Sequence, residues 1–340
     1  MVPDPDDSNS DDSNPLERYA RQTRFAPFGE EGQRRLLESR VLVCGCGALG
    51  TYSANTLARA GVGTVRIVDR DFVDLTNLQR QVLFDEQDVA DCMPKAIAAA
   101  EKLRRINSEI EIEPVVADVD YLNIAELCDG ADVIVDGTDN FETRFLLNDA
   151  SINFNIPWVY GGCLGAEGQT MTILPGETPC LRCLMHEAPP PGTTPTCDTA
   201  GIMASAIGVV ASIQSLEAIK ILSGNRDAVN RELIAVDLWD NRMRQVQVAA
   251  LKESGACPTC GSDGSFSYLE GAAGSRSTVL CGRNAVQLSH AARDKISLDE
   301  LAEKLDGVGQ VSRNPFLLRL TVDDYVLTVF PDGRAIIVGT

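Results

Sequence analysis

Four of the eleven cysteines stand in two matched pairs, Cys180-Leu-Arg-Cys183 and Cys257-Pro-Thr-Cys260. Two C-x-x-C pairs supply four thiolates, the donor set and spacing that close a tetrahedron around zinc. With no fifth ligand beside them, such a site is expected to be structural, stapling two distant segments of chain. A second group of residues points to a nucleotide. Gly45, Gly47 and Gly50 form a G-x-G-x-x-G turn, and Asp69 follows about twenty residues after the last glycine. Glycines let the backbone approach phosphate oxygens, a helix N-terminus behind them adds free N–H groups, and an acid on the next strand can accept ribose hydroxyls.

The turn alone leaves NAD and ATP both open. Further polar residues narrow the choice: Asp71, Asn77, Arg80, Gln81 and Lys95 after the acid, and Asp139 with Asn140 farther on. Two cations with an acid suit ATP, because Arg and Lys can hold phosphates while a carboxylate holds Mg²⁺. A hydride-transfer pocket would instead want an acid–base group in the second half. The two histidines, His186 and His290, fall in the metal segment and beyond a linker.

These residues need a scaffold, and the hydrophobic pattern describes one. Val41–Val43 is an apolar run fit for a buried strand, Ala48–Ala60 reads as a helix, and Val65–Val68 is a second strand. A helix over Met93–Ile106 has Pro94 near its start, where proline is favoured. Strands follow at Ile110–Val116, Ala131–Asp136 and Pro157–Tyr160, with a helix over Phe141–Phe154. This alternation predicts an α/β fold with a doubly wound, mostly parallel, Rossmann-like sheet and ligands at the strand C-terminal ends. Strands at Gly168–Leu174 and Leu233–Asp237 flank a long apolar segment, Ile202–Leu222. The expected domains are a disordered acidic tail over 1–14, an ATP-binding domain with the zinc site over 15–262, a linker over 263–276 and a small α+β domain over 277–340. In the last, a helix is expected at Leu298–Leu305, strands near Gln310, Phe316 and Tyr325 onward, and a turn at Pro331-Asp332-Gly333.

Composition limits the partners. A net charge of −19 argues against nucleic-acid phosphate, although part of it sits in the first residues, which have little to bury. The N-terminus lacks the apolar stretch of a signal peptide. Ile202–Leu222 is long enough to span a bilayer, but it carries Gln214, Glu217 and Lys220, which are costly in lipid, so a core helix and no membrane are expected. Paired cysteines without a disulfide framework fit a reducing cytoplasm.

Taken in order, Arg18-Tyr19-Ala20-Arg21-Gln22, the glycine turn with Asp69, Asn77-Leu78-Gln79-Arg80-Gln81, Pro94-Lys95, Thr138-Asp139-Asn140, both cysteine pairs and Thr196-Cys197 resemble the MoeB/ThiF/HesA adenylyltransferases, bacterial relatives of ubiquitin-activating enzymes. The resemblance runs from residue 18 to 261. Cys46 and Ala48 stand where glycine is frequent in the family. It implies an ATP·Mg²⁺-dependent enzyme that adenylylates the C-terminal Gly-Gly of a small ubiquitin-fold sulfur carrier of the ThiS or MoaD type, for thiamine or molybdenum-cofactor synthesis. By the same resemblance Asp69 holds the ribose, Asn77, Arg80 and Lys95 contact phosphates, and Asp139 positions Mg²⁺. Arg21 would reach into the other subunit of a homodimer. Cys197 would be a nucleophile for sulfur transfer, with a cysteine desulfurase or another donor as sulfur source. An NAD-dependent oxidoreductase or a non-catalytic relative is the alternative. Cys281 is a further candidate sulfur acceptor.

Overall fold

The computed structural model describes residues 16–189, 193, 195, 197–253, 255–272, 279–280, 285–288, 296–331 and 333–339. The expected acidic tail and Cys281 lie outside them. Eight strands form the main sheet: β1 Arg40–Cys44, β2 Thr64–Val68, β3 Glu111–Val115, β4 Val133–Asp136, β5 Trp158–Leu164, β6 Glu167–Ile173, β7 Leu233–Asp237 and β8 Arg242–Val246. Their spatial order is β3-β2-β1-β4-β5-β6-β7-β8. The pairs from β3 to β5 are parallel, whereas β6, β7 and β8 run antiparallel. The mostly parallel doubly wound sheet expected from the sequence is present.

Alternation within β1 explains why helices cover both faces. Val41 and Val43 enter one core cluster with Leu57, Ala99 and Leu103, while Leu42 and Cys44 enter another with Phe145, Trp158 and Met171. Successive strand side chains point to opposite faces, and here neither face is left to water. Helix Ala48–Ala60 ends at Gly61, whose φ of 88° is the left-handed conformation that commonly closes a helix. β8 has no counterpart among the expected strands. All five of its residues are exposed, so it lacks the alternating burial that marks a strand in sequence.

Helix Ala204–Leu222 lies against helix Ala48–Ala60 and against β4, β5 and β6. It is the one helix among the described residues long and apolar enough to cross a membrane. Gln214 and Glu217 have partners within the fold. Gln214 Nε2 donates to the carbonyls of Asp136 (2.9 Å) and Val159 (3.1 Å), and Glu217 Oε2 accepts from Asn230 N–H (2.8 Å).

A second, antiparallel sheet closes the chain: β9 Val279–Leu280, β10 Ala285–Leu288, β11 Gln310–Asn314, β12 Leu317–Val322, β13 Tyr325–Val329 and β14 Ala335–Val338, in the order β11-β12-β13-β14-β10-β9. Helix Leu298–Lys304 precedes β11, starting from Ser297, whose side chain caps it. Within the segment read as a linker, Tyr268 packs on Phe145 with ring centroids 5.2 Å apart, so residues 263–272 run along the main domain.

Candidate nucleotide site and cysteine cluster

The strand order reverses between β1 and β4, and the loops after these two strands touch. A Cβ on Gly45 would lie 2.7 Å from Gly137 O, and one on Gly137 would lie 2.3 Å from Gly45 O. Gly50 is tighter still, 1.8 Å from Gly45 O. These glycines let backbone pack on backbone. Gly47 differs: among the described residues a Cβ there would meet only Gly137 O, at 3.7 Å, which leaves space at this residue before helix Ala48–Ala60. A phosphate fits such a place, since the unpaired N–H groups and dipole of a helix start favour an anion.

At the end of β2, Asp69 accepts from Cys46 N–H through Oδ2 (2.6 Å) and from Asp71 N–H through Oδ1 (2.7 Å). It thereby ties the glycine turn to the loop that follows. Burial pushes its carboxyl above the ordinary value, against the Lys95 cation and the two amide donors, which favour the charged form. Lys95 is almost wholly buried, and its ammonium lies 3.1 Å from Asp71 Oδ2. Beside them Arg70 Nη1 donates to both carboxylate oxygens of Asp118, at 3.0 Å each.

The remaining expected site residues are distributed unevenly. Asn77 is buried, its Oδ1 accepting from Asp74 N–H (3.2 Å) in a reciprocal cap of the short turn Leu75–Asn77. Arg80 donates to Thr76 O at 2.8 Å, and Gln81 is buried with an Oε1 that has no hydrogen-bond partner. On the β4 side Asp139 is exposed, and Asn140 caps helix Phe141–Phe154 by accepting from Thr143 N–H (2.9 Å). Burial alone would lower the Arg70 guanidinium. Asp118, Asp71 and, more weakly, Asp139 outweigh it and raise it. The Asp139 carboxylate thus acts on the same guanidinium as Asp118 and Asp71. Arg21 is exposed on the short helix Ala20–Thr23. Its neighbours hold that helix, with Gln22 donating to Gln33 Oε1 (2.7 Å) and Ala60 O (3.0 Å). Cys197 begins the helix Cys197–Ala200, but its side chain lies outside the described residues.

Arg144 is a residue that motif reading passed over. It is buried, with one guanidinium nitrogen donating to Thr138 O (2.7 Å) and Gly161 O (3.3 Å) and Nε 3.7 Å from Asp136 Oδ2. Asp136 Oδ1 in turn accepts from Thr138 N–H and hydroxyl, at 2.9 and 2.7 Å. Burial raises the Asp136 carboxyl above its usual range. Together these groups fix the turn that carries Asp139. The available sign was an arginine four residues after the Asn140 cap, directly before the apolar run Phe145-Leu146-Leu147.

The two cysteine pairs meet. All four sulfur atoms lie within 4.8 Å of one another, with Cys180–Cys257 at 3.5 Å, Cys183–Cys260 at 3.4 Å and Cys180–Cys183 at 3.9 Å. A tetrahedron with metal–sulfur bonds of about 2.3 Å has edges of roughly 3.8 Å, so the cluster matches a bound metal ion. Backbone N–H groups of Thr259 and Cys260 point at Cys257 Sγ (3.5 Å each), the donors a thiolate wants. Outside them Asp149 accepts from the Thr259 hydroxyl and Tyr268 N–H, both at 3.0 Å.

The chain is 46% identical over 324 residues to a protein from Bacillus subtilis (strain 168) called sulfur carrier protein ThiS adenylyltransferase, covering 95% of each chain. It is 43% identical over 253 residues to the SAMP-activating enzyme E1 of Haloferax volcanii, covering 74% of this chain and 92% of that one. Among solved structures, E. coli MccB with ATP superposes with a TM-score of 0.63 at 23% identity, over 74% of this chain and 75% of that one, a likeness of fold. The ThiF family model matches residues 19–259, from the segment that carries Arg21 to the second cysteine pair, and the chain belongs to the ThiF family.

Proposed function

We propose that this protein adenylylates the C-terminal Gly-Gly carboxylate of a small ubiquitin-fold sulfur carrier of the ThiS type. The observation that carries the reading is the 46% identity with the ThiS adenylyltransferase across 95% of both chains. In the reaction a carrier carboxylate oxygen attacks the α-phosphorus of ATP. A C–O–P linkage forms, the bond to the β-phosphate oxygen breaks, and pyrophosphate leaves with its electron pair. No redox partner is needed.

The chain's part is positioning and charge balance. Asp69 would accept the ribose hydroxyls, and the space beside Gly47 would take phosphate. Lys95, Arg80 and Asn77 are the polar groups for the remaining phosphate oxygens. Asp139, exposed and carboxylate-bearing, is the ligand for Mg²⁺, which when bound would neutralise charge on the departing pyrophosphate. Arg21 projects from the surface and suits a role in the partner's site of a homodimer. The Cys₄ cluster is read as zinc, because four thiolates in tetrahedral array select that metal; its closed coordination suits a structural role. Cys197 is assigned to the later sulfur step, with an external donor such as a cysteine desulfurase. A reducing cytoplasm suits the four metal-binding thiols.

The test is exchange of labelled pyrophosphate into ATP with purified protein and a Gly-Gly carrier. Exchange should require the carrier's terminal glycine and Mg²⁺, and should persist in Cys197→Ser. Absence of exchange with any Gly-Gly carrier, while ATP binds, would remove the activity.

A further inference from the structure

The second sheet meets the main domain at the nucleotide loop. Asp71-Phe72-Val73 pairs with Met93-Pro94-Lys95: Val73 N–H donates to Met93 O, Lys95 N–H donates to Asp71 O (2.9 Å each), and Phe72 bridges Pro94. Alternation along this short ribbon sends Phe72 away from the Asp71 and Lys95 side chains. There Leu317, Phe330 and Ile336 of the second sheet pack on it. The Phe72 and Phe330 rings stack at 5.6 Å with 20° between planes. Arg319 lies over the Phe72 ring at 5.9 Å and Arg334 over the Phe330 ring at 4.6 Å, so the aromatic pair is closed by a cation on each side.

A second contact holds the other end of the same loop. Asn314 Nδ2 donates to the carbonyls of Asp91 and Cys92, 3.4 Å each, while its Oδ1 accepts from Phe316 and Leu317 N–H at 2.9 Å. Cys92 has a φ of 50°, a left-handed conformation that a non-glycine residue adopts only when its surroundings impose it. Asn314 therefore grips the turn immediately before the Met93-Pro94-Lys95 segment.

We propose that the C-terminal sheet is a brace for the ATP site, in which Phe330, Arg319 and Asn314 are positioning residues that hold the Asp71–Lys95 pair in its binding geometry. This rests on the reading under Proposed function and deepens it. The family match ends at residue 259, and the Haloferax relative is matched over 92% of its length by only 74% of this chain. The reaction core thus stands in relatives without a counterpart to all of this chain, and the sheet acts on the site from outside it. A loop already ordered by the brace spends no ATP binding energy on ordering, which raises affinity without adding a ligand contact.

The experiment compares full-length wild type with Phe330→Ala, Phe72→Leu and Asn314→Ala. ATP affinity is measured by calorimetry, and KM for ATP and for the carrier by pyrophosphate exchange. Phe330→Ala should weaken ATP binding about five- to thirty-fold and raise KM for ATP in step, with KM for the carrier unmoved. Phe72→Leu, which keeps apolar volume, should lie between. Asn314→Ala removes only a half-buried amide and carries the test should Phe330→Ala fold poorly; a several-fold rise in KM for ATP is expected. By linkage, ATP should slow hydrogen exchange of the β12 amides in wild type and less so in Phe330→Ala. A variant whose activity falls only with its folded fraction, at unchanged KM for ATP, overturns the brace. Wild-type protein that binds no ATP overturns the site assignment and the brace with it.

Discussion

Lys95 and Asp71 are joined twice, side chain to side chain at 3.1 Å and Lys95 N–H to Asp71 O at 2.9 Å. The backbone bond sets the register of two segments, and the ion pair then neutralises a nearly buried ammonium. Removing one partner of such a pair leaves the other charge in a poorly solvated place, at a cost of about 3–5 kcal/mol when burial is complete. Asp71 is about a quarter exposed, so the lower end of that range applies. Lys95→Ala should lose about 3 kcal/mol of stability and at least a hundredfold in exchange rate. Lys95→Arg should recover the stability but little of the rate, because a planar fork does not place its charge where the ammonium does. Denaturant unfolding and pyrophosphate exchange on the same samples check both halves.

Two glycines of one turn should fail for different reasons. Gly50→Ala puts a methyl group 1.8 Å from Gly45 O and should leave little folded protein. Gly47→Ala meets only an atom at 3.7 Å and should fold normally. Its methyl group would occupy the phosphate ground, so ATP affinity should fall tenfold or more, roughly the cost of one displaced phosphate contact. Normal ATP affinity in Gly47→Ala would move the nucleotide elsewhere.

The cysteine cluster should hold one zinc per chain. Cys180→Ser, or prolonged chelation, should release it and lower the melting temperature by several degrees or more, because metal binding free energy contributes to folding free energy. Metal analysis alongside thermal unfolding decides the matter. Well-folded protein with no metal at the four sulfur atoms would remove the site.

Cys128 gives a pH dependence whose sign can be worked out. Burial pushes its thiol up to about 12, only partly offset by the Arg66 cation. The folded chain keeps this proton at pH values where the unfolded chain has released it. The associated stability is therefore full below about pH 9 and is lost as pH rises toward about 12. Cys128→Ala should flatten that alkaline slope, which one group can steepen by at most about 1.4 kcal/mol per pH unit. Native protein at pH 8 should also leave Cys128 unalkylated by iodoacetamide.

Arg21 gives a test of assembly. If it serves the partner's site, mixing Arg21→Ala subunits with Asp139→Ala subunits should restore up to about a quarter of wild-type activity, the share expected from random pairing in two-fold dimers with one intact site. No recovery in verified mixed dimers would return Arg21 to its own subunit or to the surface.

The amino-acid sequence by itself determined the central sheet. The runs at Val41–Val43 and Val65–Val68 and the glycine spacing each act within a few residues, so local pattern reveals them. The two C-x-x-C pairs were legible for a related reason, since metal chemistry requires their type and spacing wherever they lie. Only the tertiary structure decided which polar groups converge. It joined Lys95 to Asp71, set Asn140 to capping a helix, placed Arg144 beneath the Asp139 turn, and stacked Phe330 on Phe72. It also added β8, an exposed edge strand whose residues carry no burial pattern. The physical reason is range. Hydrophobic period and turn chemistry bias neighbouring dihedral angles, whereas an ion pair or ring stack between distant segments exists only after packing has brought them together and excluded water.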